Sequence, residues 1–314
     1  MYSGKERAVK TEEVFKSGFV AVVGRPNVGK STLVNAILKT KVSIVSCIPQ
    51  TTRHLVRGIL NCPGAQIVFV DTPGIHSFSE KLAKHLNKVA KKSFVDVELI
   101  VYVVDATRSI GSEEERVIDC LLKKRDAKII MAINKIDINK KFVNEYIGFW
   151  QEKMKKTKRS KDPILYYIPV SAKTGRHLDI LIDAIKENLP SNPPFYDKDT
   201  TTDFPLQFRV ADIIREKLFL NLKEEVPHSL AVEVKEIEDK DKVVYVEAAI
   251  YVNRSSQKKI IIGKKGEFIK AAGSLSRLDL EKVFAKKVYL DLRVKVLGDW
   301  QAKKRILKEL GYES

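Results

Sequence analysis

The chain has 314 residues, of which 44% are hydrophobic, and 57 basic against 40 acidic residues give a formal net charge of +17. This length exceeds one typical domain, so we expect two, each able to bury a core. The charged start lacks a signal-peptide core, no uncharged apolar run approaches a membrane span, and the three cysteines are too scattered for a disulfide or metal framework. We therefore expect a cytoplasmic protein with a polyanionic partner, most often nucleic acid.

Five short apolar runs alternate with charged amphipathic stretches as far as about residue 190. They are FVAVVG, IVFVDT, LIVYVVDA, IIMAINK and YYIPVSA. Such alternation predicts a mainly parallel sheet with helices on both faces, an α/β domain over 18–190 after an N-terminal tail of 1–17. The proline-rich stretch LPSNPPFYDKDTTTDFP follows and predicts an ordered linker over 191–205.

Beyond the linker the pattern predicts a smaller α+β domain over 206–298, followed by a C-terminal tail of 299–314. FRVADIIREKLFLNL reads as a helix, SLAVEVKEIE and KVVYVEAAIYV as strands, and KVYLDLRVKVL as a last strand. Between them QKKIIIG is an apolar, strand-like run, and the turn KKG leads to the helical EFIKAAG and SLSRLDLEKVFAK. The element order is α-β-β-α-α-β.

The first strand runs into GRPNVGKS, which fits the G-x-x-x-x-G-K-[ST] phosphate loop in its strand-loop-helix setting. Glycines let backbone N–H groups close around phosphates at a helix N-terminus. Lys30 would reach the β and γ phosphates, and the Ser31 hydroxyl would bind Mg²⁺. The predicted nucleotide contacts of this loop are Gly24, Asn27, Val28, Gly29, Lys30, Ser31 and Thr32.

Two further motifs complete the predicted nucleotide site, and the second of them selects the base. In VDTPG, Asp71 would hold Mg²⁺ through water and the Gly74 N–H would meet the γ phosphate. In INKID, Asn134, Lys135 and Asp137 end another strand. A carboxylate paired with the guanine N1–H and amine rejects adenine, because adenine would leave that buried charge without donors.

The segment VSAKTG supplies Ser171, Ala172 and Lys173, in the order and spacing of the translation-factor-like GTPases that this domain resembles. In those proteins the alanine N–H faces the guanine O6, and the lysine of NKxD lies over the base. The resemblance also implies a threonine that closes on Mg²⁺ when the γ phosphate is present. IPQTTRH offers Thr51 and Thr52, and we choose Thr52.

Hydrolysis must differ from the Ras type, because Ile75 replaces the glutamine that orients the attacking water. His76 is a candidate base, although a histidine there is more often a bystander. The sequence resembles GTPases with a hydrophobic residue at this position, some of which use a K⁺ ion held partly by a phosphate-loop asparagine. Asn27 stands at that position. We hypothesise a slow intrinsic GTPase that K⁺ accelerates; the candidate catalytic residues are Asn27, Lys30, Thr52 and Gly74.

A second glycine-lysine turn, GKKG at 263–266, lacks the length and the hydroxyl of a phosphate loop. A G-x-x-G turn in this element order is what KH domains use to clamp single-stranded nucleic acid. Alone it is weak, and a solvated basic turn is the alternative. An apolar groove beside the turn would involve Ile260–Ile262 and Ile269, of which we expect at least half in the core. The predicted RNA contacts are Arg254, Lys258, Lys259, Ile262, Gly263, Lys264, Lys265, Gly266 and Lys270.

Taken together, GRPNVGKSTL, PQTTRH, DTPGIH, NKID and VSA, with LPSNPPFY, RSSQKKIIIGKKGEFIK and DWQAKKRILKELGY, resemble the Era family of bacterial GTPases over nearly the whole chain. The resemblance implies a P-loop GTPase domain followed by a type II KH domain, GTP/GDP and Mg²⁺ as ligands, and binding near the 3′ end of 16S ribosomal RNA. It further implies a role in 30S subunit biogenesis, with peripheral inner-membrane contact in some members. We expect a monomer.

Three other functions stay open at this point. NKID argues against a P-loop kinase or ATPase. A membrane-surface signalling GTPase would use the basic second domain as a lipid patch, although no surface-lying amphipathic helix dominates the pattern. A nucleotide-gated RNA scaffold with negligible hydrolysis is compatible with Ile75.

Overall fold

The structure is a computed structural model, and it describes residues 14–43, 56–71, 97–124, 126–157, 159–220, 222 and 226–312. The predicted positions Thr51, Thr52, Gly74, Ile75 and His76 lie outside the described residues.

The first domain is built on a six-stranded sheet of order β2-β3-β1-β4-β5-β6. Its strands are β1 Lys16–Val23, β2 Val56–Cys62, β3 Ala65–Asp71, β4 Leu99–Asp105, β5 Ile129–Asn134 and β6 Ile164–Pro169. All described neighbours pair in parallel except β2, which runs antiparallel to β3. The five predicted strands are confirmed. The edge strand β2 was missed, because Arg57 and Asn61 interrupt its apolar pattern.

Helices cover both faces of this sheet. They are α1 Lys30–Leu38, α2 Ser112–Leu122, α3 Val143–Lys155 and α4 Leu178–Asn188. Residues of α1 and α4 belong to one buried cluster, and residues of α2 and α3 belong to another that includes Trp150. Every residue of β3, β4 and β5 is buried, as expected for strands covered on both sides. The carboxyl ends of the parallel strands thereby form one edge at which a site is assembled.

The predicted linker is fixed to the sheet. Ser191 forms a bridge with Lys16, and Thr202 forms one with Gly58 of the edge strand β2. The side-chain oxygen of Gln66 accepts hydrogen bonds from the N–H groups of residues 195 and 196, at 2.7 and 3.0 Å. Further bonds join β2 to the linker, including 2.9 Å from the Ile59 N–H to the Thr201 carbonyl. The connection to the second domain is therefore an extension of the sheet edge.

The second domain has the predicted α-β-β-α-α-β order, with α6 as an additional short helix, but the stretches EFIKAAG and SLSRLDLEKVFAK form one continuous helix, α8. Its elements are α5 Leu206–Phe219, α6 Val226–Ser229, β7 Ala231–Lys240, β8 Val243–Val252, α7 Ser255–Ile262, a 3₁₀ turn Lys264–Gly266, α8 Glu267–Phe284 and β9 Lys287–Val296. The central strand β8 pairs antiparallel with β7 and parallel with β9. The helices α5 and α8 pack on one face of this sheet and close the second core.

One local prediction for this domain is wrong. The apolar run ending at Ile262 is the last turn of α7, not a strand. The helix begins where the Gln257 side-chain oxygen accepts the N–H groups of Asn253 and Arg254, at 3.0 and 3.1 Å. A run of isoleucines favours a strand by propensity alone, but this N-terminal cap and burial of Ile261 in the core override that preference.

The segment predicted as a C-terminal tail folds back on the second domain. It contains a 3₁₀ turn Trp300–Ala302 and the helix α9 Lys304–Glu309. Trp300 is fully buried and donates its indole N–H to the Ser229 carbonyl at 2.7 Å. The Tyr312 hydroxyl accepts a bond of 2.8 Å from the buried Arg215 of α5. These contacts fix the C-terminal segment to the second domain, one of them directly to α5.

Candidate nucleotide site and nucleic-acid interface

The phosphate loop connects β1 to α1 and depends on two glycines. Gly24 has φ 156°, and a Cβ there would lie 2.3 Å from the Val103 carbonyl oxygen. Gly29 has φ 99°, and a Cβ there would lie 2.3 Å from the Asn134 side-chain nitrogen. Both positions therefore require glycine for backbone angle and for space. The loop ends at the N-terminus of α1, whose N–H groups suit a phosphate.

The Lys30 side chain lies within this loop. It is only 7% exposed, and its ammonium group donates to the carbonyls of Gly24 at 2.9 Å and Arg25 at 2.8 Å. Burial lowers the pKa of Lys30 to about 8, against the opposing charge of Asp71. A phosphate would offer this desolvated ammonium a counter-charge that the loop itself does not supply.

The Ser31 hydroxyl and the Asp71 carboxylate lie together at the start of α1 and the end of β3. Ser31 donates to one carboxylate oxygen of Asp71 at 2.7 Å. The other oxygen, Oδ1, is buried and accepts no hydrogen bond of standard geometry from the described residues, although the nearby Ser43 hydroxyl also lowers the pKa of this carboxyl. Burial raises the pKa of Asp71, while the Ser31 hydrogen bond and the Lys30 charge lower it. This hard-oxygen donor set with an unpartnered carboxylate oxygen fits Mg²⁺.

Asn134 joins three predicted parts of the site. Its side-chain nitrogen donates to the Val28 carbonyl at 2.8 Å, and its side-chain oxygen accepts the Ala172 N–H at 2.9 Å. It is buried at the carboxyl end of β5. The asparagine of INKID thus ties the phosphate loop to the segment after β6, and it acts as a structural link within the site.

Lys135 also contacts the phosphate loop. Its ammonium group donates to the Asn27 carbonyl and to the Asp105 carboxylate, each at 2.7 Å. Burial by itself would raise the pKa of Asp105, but hydrogen bonds from Lys135 and Thr107 hold it below its ordinary value. Sequence reasoning missed Asp105, although its place at the end of a buried strand was a usable signal. Its charge fixes the lysine that is expected to lie along the base.

The carboxylate that is predicted to recognise the base is held by a hydrogen bond. Asp137 accepts a hydrogen bond of 2.6 Å from the Ser171 hydroxyl, which also accepts the Thr174 N–H at 3.2 Å. Asp137 and Lys173 are exposed, while Ser171 and Ala172 are buried. The predicted set from INKID and VSAKTG therefore meets at one edge of the sheet. Thr52 and Gly74, predicted from IPQTTRH and VDTPG, lie outside the described residues.

The second glycine-lysine turn has a different geometry. Gly263 and Gly266 have φ 75° and 79°, and Lys265 between them has φ 52°. A Cβ at Gly263 would lie 2.7 Å from the Cβ of Phe268, whereas nothing lies within 4 Å of one at Gly266. The first glycine thus allows close helix packing, and the second leaves the backbone open to an approaching strand. The turn sits between α7 and α8, as KH clamping requires.

Basic side chains surround this turn. Arg254, Lys259, Lys264, Lys265 and Lys270 are exposed and Lys258 is half-buried. Across the described ranges none of these six forms an ion pair with a carboxylate. Of the groove candidates, Ile261 is buried in the core and Ile269 packs against it, while Ile260 is 49% exposed and Ile262 is half-buried. The face therefore offers unneutralised charge beside apolar surface.

A lysine that sequence reasoning missed connects the two domains. Lys41, just after α1, contacts Glu216 of α5 at 2.7 Å and Asp279 of α8 at 2.8 Å. Lys217 contacts the same two carboxylates, at 3.0 and 2.7 Å. Arg209 donates to the Lys41 carbonyl at 2.9 Å. Nothing local in the sequence marks Lys41, because its partners are 175 and 238 residues away.

Lys41 lies three residues after the end of α1, and one of the two helices that it contacts is α8; α1 and α8 are the helices that begin at the two glycine-lysine turns. The first, α1, starts at Lys30 of the phosphate loop, and α8 starts directly after Gly266. Asn35 of α1 holds the segment containing Lys41, because its side-chain oxygen accepts the N–H groups of Val42 and Ser43 at 3.0 Å each.

In the described part of the chain, no helix is long and apolar enough to span a bilayer.

Comparison with known proteins assigns both domains. Residues 19–135 match the family model of 50S ribosome-binding GTPases, and residues 225–301 match the KH domain model. The chain is 43% identical over 305 residues to GTPase Era of Geobacter metallireducens, covering 96% of this chain and 99% of the relative. It is 45% identical over 301 residues to GTPase Era of Halothermothrix orenii, covering 95% and 99%.

Solved structures agree over the same span. A crystal structure of Era in complex with MgGDPNP and nucleotides 1506–1542 of 16S ribosomal RNA superposes with a TM-score of 0.86 at 38% identity, covering 96% of this chain and all of the other. A variant of Aquifex aeolicus Era bound to GDP·AlF₄⁻ gives a TM-score of 0.87 at 37% identity with the same coverage. The similarity therefore includes both domains.

Proposed function

The chain belongs to the Era family of GTPases, and on that premise we propose that it is a GTP-hydrolysing switch that binds single-stranded RNA near the 3′ end of 16S ribosomal RNA and assists 30S subunit biogenesis. The observation that carries the proposal is the pairing, in one chain, of a guanine-nucleotide site with an exposed, unneutralised GKKG clamp whose helix is ion-paired to Lys41, in the segment just after the helix of that site. GTP, GDP and Mg²⁺ are its ligands.

The nucleotide is accommodated by the groups that the structure brings together. The phosphates would bind at the N-terminus of α1 with Lys30, and Ser31 and, through water, Asp71 would hold Mg²⁺. Asp137 takes the guanine N1–H and amine, which excludes adenine. We assign Thr52 and Gly74 to the γ-phosphate side of the site, as their motifs predict.

The hydrolysis step is proposed to be slow and assisted by K⁺. Ile75 offers no hydrogen bond to the attacking water, so charge stabilisation must come from elsewhere. Asn27 has φ 62° and its carbonyl is held by Lys135, which fixes this residue at the mouth of the phosphate loop. Equal turnover in Na⁺ and K⁺, together with an unchanged rate in Asn27→Ala, would remove this part of the proposal.

The RNA site is the face around the GKKG turn. Backbone N–H groups at the two glycines can approach phosphates, and Lys264 and Lys265 add charge that gives binding a steep salt dependence. Base discrimination is assigned to the apolar surface of Ile260 and Ile262 beside the turn. The partner is the 3′ region of 16S ribosomal RNA within the 30S subunit, which places the monomeric protein in the cytoplasm.

Coupling between the two sites is supported by the position of Lys41. A change at the phosphate loop reaches Lys41 through α1, and a change at the GKKG turn reaches Asp279 through α8. The ion pair between Lys41 and Asp279 therefore connects the GTP site to the RNA site, as a switch requires. A scaffold whose RNA binding ignores nucleotide would not need this contact.

The test is RNA crosslinking with GTP, GDP or no nucleotide, followed by sequencing of the captured fragment. We expect a fragment from the 3′ end of 16S ribosomal RNA whose yield depends on the nucleotide. Yield that is indifferent to nucleotide would refute the switch, and tight ATP binding would refute the guanine assignment. Binding to anionic liposomes that survives excess RNA would favour the second candidate, a membrane-surface signalling GTPase with peripheral inner-membrane contact.

A further inference from the structure

The first turn of α2 contains a carboxylate in an unexpected place. Glu114 is completely buried, whereas Glu113 and Glu115 on either side of it are exposed. Acidic residues suit the start of a helix because they face its positive end, but that interaction works at the surface and needs no burial. An ionised carboxylate withdrawn from water is unfavourable unless specific partners compensate for it. Its partners therefore indicate what Glu114 does.

Those partners come from three different elements. The Arg25 guanidinium lies 3.0 Å from one oxygen of Glu114, and the Tyr102 hydroxyl of β4 donates to the other. Tyr146 of α3 receives a hydrogen bond of 3.1 Å from Arg25 and donates to Glu114 at 3.4 Å. Burial raises the pKa of Glu114, while the Tyr102 hydrogen bond and the Arg25 charge oppose that rise. Each of the four side chains therefore makes a hydrogen bond or an ion pair with at least one of the others.

Arg25 connects this network to the chemistry of the site. It directly follows Gly24 in the phosphate loop, and its own carbonyl accepts a hydrogen bond of 2.8 Å from Lys30. Its guanidinium is committed to Glu114 and Tyr146, with only 11% of the side chain exposed. Arg25 is thus occupied in holding the loop rather than in reaching for phosphate.

The phosphate loop needs such anchors because a non-glycine residue within it has a left-handed backbone conformation. Asn27 has φ 62°. Conformations of this kind persist only where the surroundings over-determine them. Lys135 holds the carbonyl of Asn27 and Asn134 holds that of Val28, both from the base-recognition motif. Glu114 supplies the third anchor, from the side of α2 and α3.

We infer that Glu114 is a positioning residue for GTP binding, which acts through Arg25 to hold the phosphate loop and Lys30 in the conformation that receives the phosphates. The inference rests on the GTP site of the proposed function and extends it to a residue outside the nucleotide motifs. Preorganisation of this kind lowers the cost of ordering the site when the ligand arrives.

The test compares Glu114→Gln, Arg25→Met and the double variant with the matched control Glu115→Gln, which lies on the same helix turn but is exposed. GTP affinity is measured with a fluorescent nucleotide, thermal stability without nucleotide, and affinity for a single-stranded RNA oligonucleotide. We expect each single variant to bind GTP about tenfold more weakly, with RNA affinity of the nucleotide-free chain within twofold of the wild type and the control unchanged.

The double variant separates positioning from stability. Removing both members leaves no lone buried charge, so thermal stability should recover relative to either single variant. GTP affinity should stay as low as in the singles, because the loop still lacks its anchor. If GTP affinity instead recovers with stability, or if folded Glu114→Gln binds GTP within twofold of the wild type, the inference is refuted.

Tyr146→Phe provides a second route if the buried substitutions fail to fold. It removes one hydroxyl from the network and leaves both charges, and we expect a two- to fourfold loss of GTP affinity with retained folding. No loss would overturn the inference. A wild-type chain that binds no GTP would instead refute the proposed function, so the two failures are distinguishable.

Discussion

Replacing Lys41 with methionine should weaken the coupling between GTP and RNA without damaging either site. Methionine keeps much of the apolar length of lysine and removes the ammonium that contacts Glu216 and Asp279. Neither glycine-lysine turn contains Lys41, so the intrinsic affinities for GTP and RNA should stay within twofold. The expected change is in the coupling factor, which is the factor by which bound GTP alters the affinity for RNA and bound RNA alters the affinity for GTP.

The size of the effect follows from the geometry. At an effective dielectric of about 20, unit charges 2.7–2.8 Å apart attract by about 6 kcal/mol before desolvation. Lys41 is 27% exposed, so water screens much of that attraction. Exposed pairs contribute about 0.2–1 kcal/mol, and loss of one partner from a buried pair costs about 3–5 kcal/mol. Lys217 stays on both carboxylates, so neither is left alone.

We therefore expect Lys41→Met to reduce the coupling free energy by about 1.4 kcal/mol, which is tenfold in the coupling factor. The assay measures the affinity of an RNA oligonucleotide with a non-hydrolysable GTP analogue and with GDP, then the affinity of each nucleotide with and without RNA. Linkage requires that the two measurements give the same factor. Lys282→Met is the matched control, because Lys282 contacts the same Asp279 at 3.4 Å but is 80% exposed and lies on α8 itself.

Three results would each have a different meaning. A coupled wild type whose coupling factor is unchanged in Lys41→Met would refute the role of this lysine. An equal loss in Lys282→Met would show that the charge of Asp279, rather than the contact between domains, controls the effect. A wild type without coupling would refute the switch itself.

Three further outcomes are expected. Changing Lys264 and Lys265 to glutamate should abolish RNA binding, measured by filter binding, while GTP affinity, measured by nucleotide titration, stays within twofold. Lys242→Glu, on a distant exposed turn, is the control. A parallel loss of GTP affinity would contradict the assignment of RNA and GTP to separate sites. Asp137→Ala should weaken GTP binding about 100-fold, because the guanine donors lose a charged acceptor, and should leave RNA binding by the nucleotide-free chain unchanged in the same assays. Because burial lowers the pKa of Lys30 to about 8 and phosphate binds its charged form, GTP affinity should be level below pH 8 and fall by up to tenfold per pH unit above it. Calorimetry in two buffers of different ionisation heat would show the proton taken up, and a level profile to pH 9 would contradict the assignment.

Much of this architecture could be predicted from local patterns. Continuous apolar runs of 6–7 residues predict strands buried on both faces, and β4 and β5 are buried along their whole length. The strand β2 escaped notice because an edge strand tolerates polar residues such as Arg57 and Asn61. The run ending at Ile262 was misread because propensity is a weak guide when a cap and a core position decide the conformation.

The candidate site shows the same division. Gly24, Lys30, Asp71 and Asp137 could be assigned from spacing alone, because the phosphate loop and the strand ends dictate which residue types can serve there. Glu114 could not, since a run of three glutamates at a helix start predicts a solvated face, and only packing buries the middle one beneath Tyr102.

The sequence by itself determined which ligand each glycine-lysine turn is predicted to bind: a hydroxyl and a helix start indicate a nucleotide, and a short basic turn between helices indicates a polynucleotide. Those properties depend on neighbours within a few residues. Only the tertiary structure decided how the two turns are connected, because Lys41 and Asp279 are 238 residues apart along the chain and 2.8 Å apart in the fold. Contacts between distant residues depend on the packing of whole elements, which no local pattern encodes.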